Sequence, residues 1–143
     1  MEWQRNSAAE ILVSSLRKYH SHVDEAEIIV LSGPLNDKFG RARRPRDNEL
    51  ALVEATGGRA PDYVIEVDYD AWEHHFEPWR LALLDHEMCH FAGRKEKKDG
   101  TLGPWKLNRH DIEEFGAVVK RHGLWREDLR AFVDLANQVR KEG

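Results

Sequence analysis

The segment DHEMCH, residues 85–90, places two histidines four residues apart, with a glutamate directly after the first. On an α-helix His86 and His90 project from one face, because residues at i and i+4 are neighbours there. Two imidazoles at this spacing can bind one metal ion without bending the backbone. Glu87 projects about 100° away, where a carboxylate can take a proton from a metal-activated water molecule. The spacing predicts a hydrolytic zinc site with His86 and His90 as ligands and Glu87 as general base.

Two histidines at helical spacing can also lie on a solvated helix face that binds nothing. Here, however, the surrounding segment is apolar, and burial of two neutral imidazoles and a carboxylate costs free energy unless they have a partner. A metal ion is one natural partner, so the metal site is preferred over a helical domain without metal. Cys89 lies about 100° from His90 on such a helix and is interpreted as a small buried hydrophobe, not as a ligand. The apolar neighbours are Leu81, Ala82, Leu83, Leu84, Met88 and Phe91.

A catalytic zinc site takes three protein ligands and keeps one position for water. The residues directly after His90, FAGRKEKKDG, contain no histidine. The next candidates lie in NRHDIEEFGAVVKRHG, residues 108–123, where the suitable side chains are His110, Asp111, Glu113 and Glu114. His110 at the start of a predicted helix could reach the site, with Glu114 one turn later as acceptor for its second N–H. His110 is preferred as the third ligand, and Glu113 and Glu114 stay open as alternatives.

The first half of the chain alternates between helix and strand patterns. Apolar spacing over residues 7–20 predicts a helix. The β-branched run over 26–33, ended by Gly-Pro, predicts a buried strand, and residues 49–55 predict a weaker one. Residues 63–69 alternate in polarity, and the charged face of this predicted strand favours an edge position in the sheet.

The second half is predicted to be helical. A long helix from Glu77 to about Gly93, with Pro78 in its first turn, carries His86 and His90. Two more helices are predicted over 110–122 and 126–142. The fold class is therefore α+β: a small mixed β-sheet packs on an N-terminal helix and the histidine-bearing helix, and two C-terminal helices follow. A length of 143 residues predicts a single domain, 1–143.

Composition narrows the function classes. The chain is 41% hydrophobic and 34% charged, and its net charge of −4 gives no general attraction to nucleic acid or anionic membranes. No apolar run approaches the ~20 residues of a membrane span, and the polar start MEWQRNSAAE lacks a signal-peptide core. The single cysteine excludes an internal disulfide. These features predict a cytoplasmic protein without a membrane partner.

The segment GRARRPRD, residues 40–47, is a short basic run predicted to lie in a loop. Its four arginines could contact phosphate groups of a nucleic acid or an acidic peptide. Because a short basic run is a weak motif, a solvated loop is the preferred interpretation. The arginines are Arg41, Arg43, Arg44 and Arg46.

The tract RLALLDHEMCHF followed by RHDIEEFGAVVKRHGLW resembles the phage-encoded metallopeptidases of the zincin class and, more distantly, the SprT-like proteases. The resemblance covers about residues 61–125. The spacing from His90 to His110 is longer than in SprT-like proteins, and no cysteine-rich zinc ribbon follows, so a DNA-linked protease role is not carried over. The positions that match are His86, Glu87, His90, His110 and Phe115.

This resemblance implies a minimal zincin fold, with an active-site helix beneath a small sheet and a third-ligand helix behind it. It also implies a zinc-dependent peptidase in the host cytoplasm. An edge strand, taken to be Tyr63–Tyr69, would bind the peptide or protein substrate by strand addition. The alternative is a catalytically weak or inactive zinc-binding scaffold that serves as an interaction module for protein or nucleic acid.

Overall fold

The structure is a computed structural model that describes residues 2–36 and 38–108, together with the isolated positions 118, 121, 122 and 125. The chain divides into two compact units, Met1–Arg109 and His110–Gly143. The elements below belong to the first unit. The predicted helices over 110–122 and 126–142 lie outside the continuously described residues, and the single domain over 1–143 stays a prediction.

A mixed sheet of four strands, in the order β1-β2-β4-β3, forms the centre of the first unit. β2 and β4 run parallel, with Ile28 opposite Tyr63, and β1 and β3 are antiparallel to their neighbours at the two edges. A separate hairpin pairs β5 with β6. The strands are β1 (Gln4–Arg5), β2 (Ile28–Gly33), β3 (Gly40–Arg43), β4 (Tyr63–Asp68), β5 (Phe91–Gly93) and β6 (Lys106–Leu107).

Four α-helices accompany the sheet within the described residues, which confirms the predicted α+β class. The first predicted helix, over 7–20, ends as an α-helix at Leu16 and continues in two short 3-10 turns. None of the described helices has the length and apolar character needed to cross a membrane. The helices are α1 (Ser7–Leu16), α2 (Asp47–Thr56), α3 (Tyr69–His74) and α4 (Glu77–Met88), and the 3-10 turns are Arg17–Tyr19 and Ser21–Val23.

The core lies between one face of the sheet and two helices, α1 and α4, which also pack on each other. Each fully buried aliphatic side chain in this layer contributes roughly 1.5–3 kcal/mol. The core therefore fixes α4 against the sheet. The core residues of these elements include Val13, Leu16, Val30, Ile65, Val67, Ala82, Leu83 and Leu84.

The predicted strand over 49–55 is wrong, because residues 47–56 form α2. The carboxylate of Glu49 accepts the N–H of Arg46 at 2.7 Å, which caps the start of the helix. Gly57 ends the helix in the left-handed region, with φ of 79°. These end signals and the Ala, Leu and Glu residues between them favour a helix over the short β-like run.

β4 is a central strand, so the predicted edge position of Tyr63–Tyr69 is wrong. Its acidic residues have structural partners: Glu66 is 4% exposed and lies 3.2 Å from the guanidinium of Arg43 on β3. Asp68 accepts the N–H of Ala71 and so caps α3. The edge beside β4 is β3, and strand addition at that edge of the described sheet would therefore use Gly40–Arg43.

The basic segment forms β3 and the start of α2 instead of a predicted loop, and its arginines have partners within the protein. Arg43 donates two hydrogen bonds to Glu49, at 2.7 and 3.0 Å. These bonds to Arg43 lower the pKa of Glu49 to about 2. Arg44 donates to the main-chain oxygen of Trp105, and Arg41 lies 3.6 Å from Glu66.

Candidate metal centre

α4 carries His86 and Glu87 near its C-terminal end, and His90 follows two residues after its last residue. Pro78 lies in its first turn, where a missing N–H costs nothing. The α-helix ends at Met88, and the N–H of His90 bonds to the oxygen of Glu87 at 3.1 Å in a tighter turn. The helix is thus shorter than the predicted span to Gly93, and His90 lies just beyond its last turn.

The structure brings His86, Glu87 and His90 together, and the three are called the histidine group below. Their potential ligand atoms all lie within 4.8 Å of one another. The two imidazole rings have centroids 5.5 Å apart and an interplanar angle of 74°. The side chains of His86 and Glu87 are 4% and 5% exposed, and that of His90 is 17% exposed. A shielded site of two imidazoles and a carboxylate fits a divalent transition metal.

The carboxylate of Glu87 lies between the two rings. Its Oε2 is 3.9 Å from Nε2 of His86, and its Oε1 is 3.9 Å from Nε2 of His90. Both distances exceed a hydrogen bond, so the carboxylate stands beside the imidazole nitrogens without a direct bond to them. This position suits a group that accepts a proton near the metal.

The ring of His90 is oriented by the main chain of Asn108, directly after β6. Nδ1 of His90 donates to the oxygen of Asn108 at 2.7 Å, so the lone pair of the neutral ring lies on Nε2. The N–H of Asn108 bonds back to the oxygen of His90 at 2.5 Å, and its side-chain amide donates to the oxygen of Cys89. Nothing in the sequence indicated Asn108, because the orienting contact uses a main-chain oxygen that any residue carries.

Gly40, the first residue of the edge strand β3, lies beside Glu87. A Cβ at this position would come within 2.9 Å of Oε2 of Glu87 and 3.2 Å of Cδ1 of Leu83. The neighbouring Phe39 packs its ring on Trp79 of α4, with centroids 5.6 Å apart. Because Gly40 has no side chain, the edge strand approaches the proposed base closely. No pattern in the sequence predicts this contact.

The hairpin β5-β6 is tied to the sheet by Tyr63, which is fully buried on β4. Its hydroxyl donates to the oxygen of Lys106 at 2.7 Å and accepts the N–H of Gly93 at 3.1 Å. Its ring stacks on Phe91 with centroids 4.0 Å apart. Burial raises the pKa of Tyr63, so the hydroxyl keeps its proton at neutral pH. Tyr63 thereby fixes the strand that leads to Asn108.

Two further histidines, neither of them part of the predicted site, contact the region around the motif. Nε2 of His20 lies 2.6 Å from Oδ1 of Asp85, and both residues are buried. His22 donates from Nε2 to the oxygen of Phe91 at 2.7 Å. The predicted third ligand, His110, and its alternatives Glu113 and Glu114 lie outside the described residues.

The family model described as "Putative phage metallopeptidase" matches residues 1–137 of the chain. The protein belongs to this family. The suspected family is thereby confirmed, and the family implies a metal cofactor and a peptidase-type hydrolase. The histidine group supplies possible ligands for that cofactor. No curated protein and no solved structure matches the chain significantly.

Proposed function

We propose that this protein is a zinc-dependent metallopeptidase that hydrolyses peptide bonds through a metal-activated water, with Glu87 as general base. The observation that carries the proposal is the convergence of His86, Glu87 and His90 within 4.8 Å, in a chain that belongs to a metallopeptidase family. A family of phage proteins and a single cysteine favour action in the host cytoplasm.

His86 and His90 would hold the metal through Nε2, and His110 is the proposed third ligand, with Glu113 and Glu114 as alternatives. When bound, zinc would polarise the scissile carbonyl and lower the pKa of water from its high bulk value toward about 7. The choice of zinc follows from the imidazole ligands and from the acid–base chemistry that peptide hydrolysis needs.

Glu87 would accept the proton of the attacking water and transfer it to the leaving amine. Its carboxylate is shielded from bulk solvent and lies at the same distance from both imidazoles. Burial strengthens its interaction with charge that develops during the reaction.

The substrate is proposed to be a peptide or protein segment that adds to the sheet along β3. Within the described residues β3 lies at the end of the sheet, next to β4. A peptide paired with Gly40–Arg43 would pass Glu87, because Gly40 is the residue in contact with that carboxylate. Strand addition uses main-chain hydrogen bonds for affinity and leaves side chains for specificity.

The alternative is a zinc-binding module that recognises a protein or nucleic acid without catalysis. The basic segment would serve such a module, but Arg43 and Arg44 have partners within the protein, at Glu49 and at the main chain of Trp105. The structure therefore offers less support for this alternative than for hydrolysis.

The variant Glu87→Gln separates the two functions. Zinc content, measured by elemental analysis, should equal that of the parent protein, since both imidazoles remain. Cleavage of a mixed peptide library, measured by mass spectrometry, should fall by a factor of roughly 10²–10⁴ through loss of the general base. Glu54→Gln, an exposed change on α2, is the matched control. Equal cleavage by Glu87→Gln and the parent would remove Glu87 from the mechanism, and no cleavage by the metal-loaded parent would favour the binding module.

A further inference from the structure

We propose that His20, Asp85 and Cys89 form a second transition-metal site, separate from the histidine group. A ring nitrogen of His20, a carboxylate oxygen of Asp85 and Sγ of Cys89 all lie within 4.8 Å of one another. The three residues are called the cysteine group below. This assignment gives Cys89 a different role from the small buried hydrophobe that the sequence suggested.

The cysteine group arises from a second i,i+4 pair in the segment DHEMCH. Asp85 and Cys89 have the same spacing as His86 and His90, shifted by one residue. Cys89 keeps helical backbone angles, φ of −65° and ψ of −19°, and its N–H bonds to the oxygen of Asp85 at 3.1 Å. The two pairs therefore lie on faces of the helix that differ by about 100°. His20, between the two 3-10 turns, completes the first pair.

The chemistry of the three donors fits a borderline-soft divalent cation. Mg²⁺ and Ca²⁺ prefer oxygen ligands, so a site with a thiolate does not suit them. A thiolate together with an imidazole favours Zn²⁺ or Co²⁺. His20 is 3% exposed and Asp85 is fully buried, so both donors are already withdrawn from water. Cys89 is half-buried and gives the ion a route to the site.

The geometry needs only small side-chain movements to bind an ion. Zinc bonds of about 2.0–2.3 Å place neighbouring donors roughly 3.3–3.6 Å apart. The nitrogen of His20 and the oxygen of Asp85 are 2.6 Å apart, which is a hydrogen bond. On metal binding, the thiol proton of Cys89 leaves to solvent, and His20 coordinates through Nε2 with its proton on Nδ1. A water molecule would complete the tetrahedral site.

Such an ion would join two segments that meet at the end of α4. It would bind His20 in the first segment. In the second segment it would bind Asp85, directly before His86, and Cys89, directly before His90. The ion would thus stabilise the backbone of the histidine group without touching substrate, as structural zinc sites do.

Cobalt spectroscopy on the full chain tests this site. Cys89 is the only cysteine in the sequence, so any thiolate-to-cobalt charge-transfer absorption must come from it. We expect apo protein, kept reduced with a phosphine, to bind two Co²⁺ per chain and to show this absorption. Cys89→Ser should lose the absorption and one of the two Co²⁺. His86→Ala should keep the absorption and lose the other Co²⁺.

Three variants decide which residues share the ion with Cys89. His20→Ala and Asp85→Asn should lose the charge-transfer absorption, while His22→Ala, whose Nε2 bonds to the oxygen of Phe91, should keep it. Circular dichroism checks that each variant folds. Wild-type protein that binds one Co²⁺ without the absorption would overturn the proposal and leave the histidine group intact. An absorption that survives in folded His20→Ala and Asp85→Asn would also overturn it, since Cys89 would then join His86 and His90.

Discussion

The histidine group and two members of the cysteine group, Asp85 and Cys89, come from the same six residues, but the two groups have different surroundings. Glu87 lies 3.9 Å from each imidazole of its group, beyond hydrogen-bond distance. Asp85 lies 2.6 Å from its imidazole, and both partners are buried. The first carboxylate adjoins the edge strand through Gly40, whereas the second is bonded to His20 near the end of α1.

This difference shows that spacing alone does not set the role of a carboxylate–histidine group. A general base gains and loses a proton during the reaction. It therefore needs access to substrate, and a short hydrogen bond to a neighbouring imidazole would hinder it. A structural group gains from a short bond in a shielded place, because the bond is stronger where water is absent. The difference comes from residues elsewhere in the chain that approach α4: Gly40 beside Glu87, and His20 beside Asp85.

Removal of a histidine-group ligand should have the largest effect. We expect His86→Ala to lose the metal of that group and to lower peptide cleavage by a factor on the order of a thousand, because water without a metal keeps a pKa far above 7. Elemental analysis and the peptide-library assay measure the two effects. His74→Ala, an exposed change on α3, is the control. Cleavage at the parent rate by metal-depleted His86→Ala would assign the activity to other residues.

Loss of the hydrogen bond between His20 and Asp85 should lower the stability of the fold. We expect His20→Ala to lower the free energy of unfolding by about 3 kcal/mol, because it removes the imidazole from a fully buried carboxylate. Urea unfolding in the presence of a chelator measures this loss without bound metal. His74→Ala should lower it by less than about 1 kcal/mol, as expected for an exposed side chain. Equal losses in the two variants would mean that the buried pair contributes no more than a surface histidine.

The local part of the metal centre could be predicted from sequence. His86, Glu87 and His90 lie within five residues, so helical spacing alone brought them together. Gly40, Asn108 and His20 could not be predicted in the same way, because their contacts depend on how distant segments meet. Asn108 acts through a main-chain oxygen, and Gly40 acts through the absence of a side chain.

The fold predictions failed where tertiary partners or end signals overrode a local pattern. The charged face of residues 63–69 indicated an edge strand, but arginines on β3 neutralise Glu66 inside the sheet. Residues 49–55 indicated a strand, but Glu49 and Gly57 supply the two ends of a helix. The α+β class survived these errors because it depends on the order of elements.

A smaller change at the edge strand should disturb only the histidine group. Gly40→Ala would place a methyl group 2.9 Å from Oε2 of Glu87, and the flexible carboxylate can move away at little cost in folding. Because a displacement of about 1 Å can lower a rate up to a hundredfold, we expect roughly a tenfold loss of cleavage with unchanged metal content.

Gly58→Ala is the matched control for this glycine. Its added Cβ would meet only Cγ1 of Val53, at 3.8 Å, which is an ordinary contact. Steady-state cleavage of one library peptide by both variants measures the effect. A loss in Gly40→Ala no greater than in Gly58→Ala would show that the approach of β3 to Glu87 does not influence the reaction.

The smallest effect should come from Tyr63, which reaches the histidine group only through the hairpin. Tyr63→Phe removes the bond to the oxygen of Lys106, two residues before the oxygen that orients His90. A hydrogen bond of this kind contributes about 1 kcal/mol. Because part of this free energy helps to orient His90, we expect the metal affinity of the histidine group to fall a few-fold.

The two groups should respond differently to Tyr63→Phe. Asp85 lies on another face of the segment from His90, and His20 bonds to Asp85, so the cobalt absorption of Cys89 should keep its midpoint in Tyr63→Phe. Because burial raises the pKa of Tyr63 above its usual range, its hydroxyl stays protonated around neutral pH, and the difference between parent and variant should not change between pH 6 and 9. Tyr69→Phe, at the half-buried start of α3, is the control. Equal loss of affinity at both groups would mean that Tyr63 supports the whole end of α4 and not the orientation of His90.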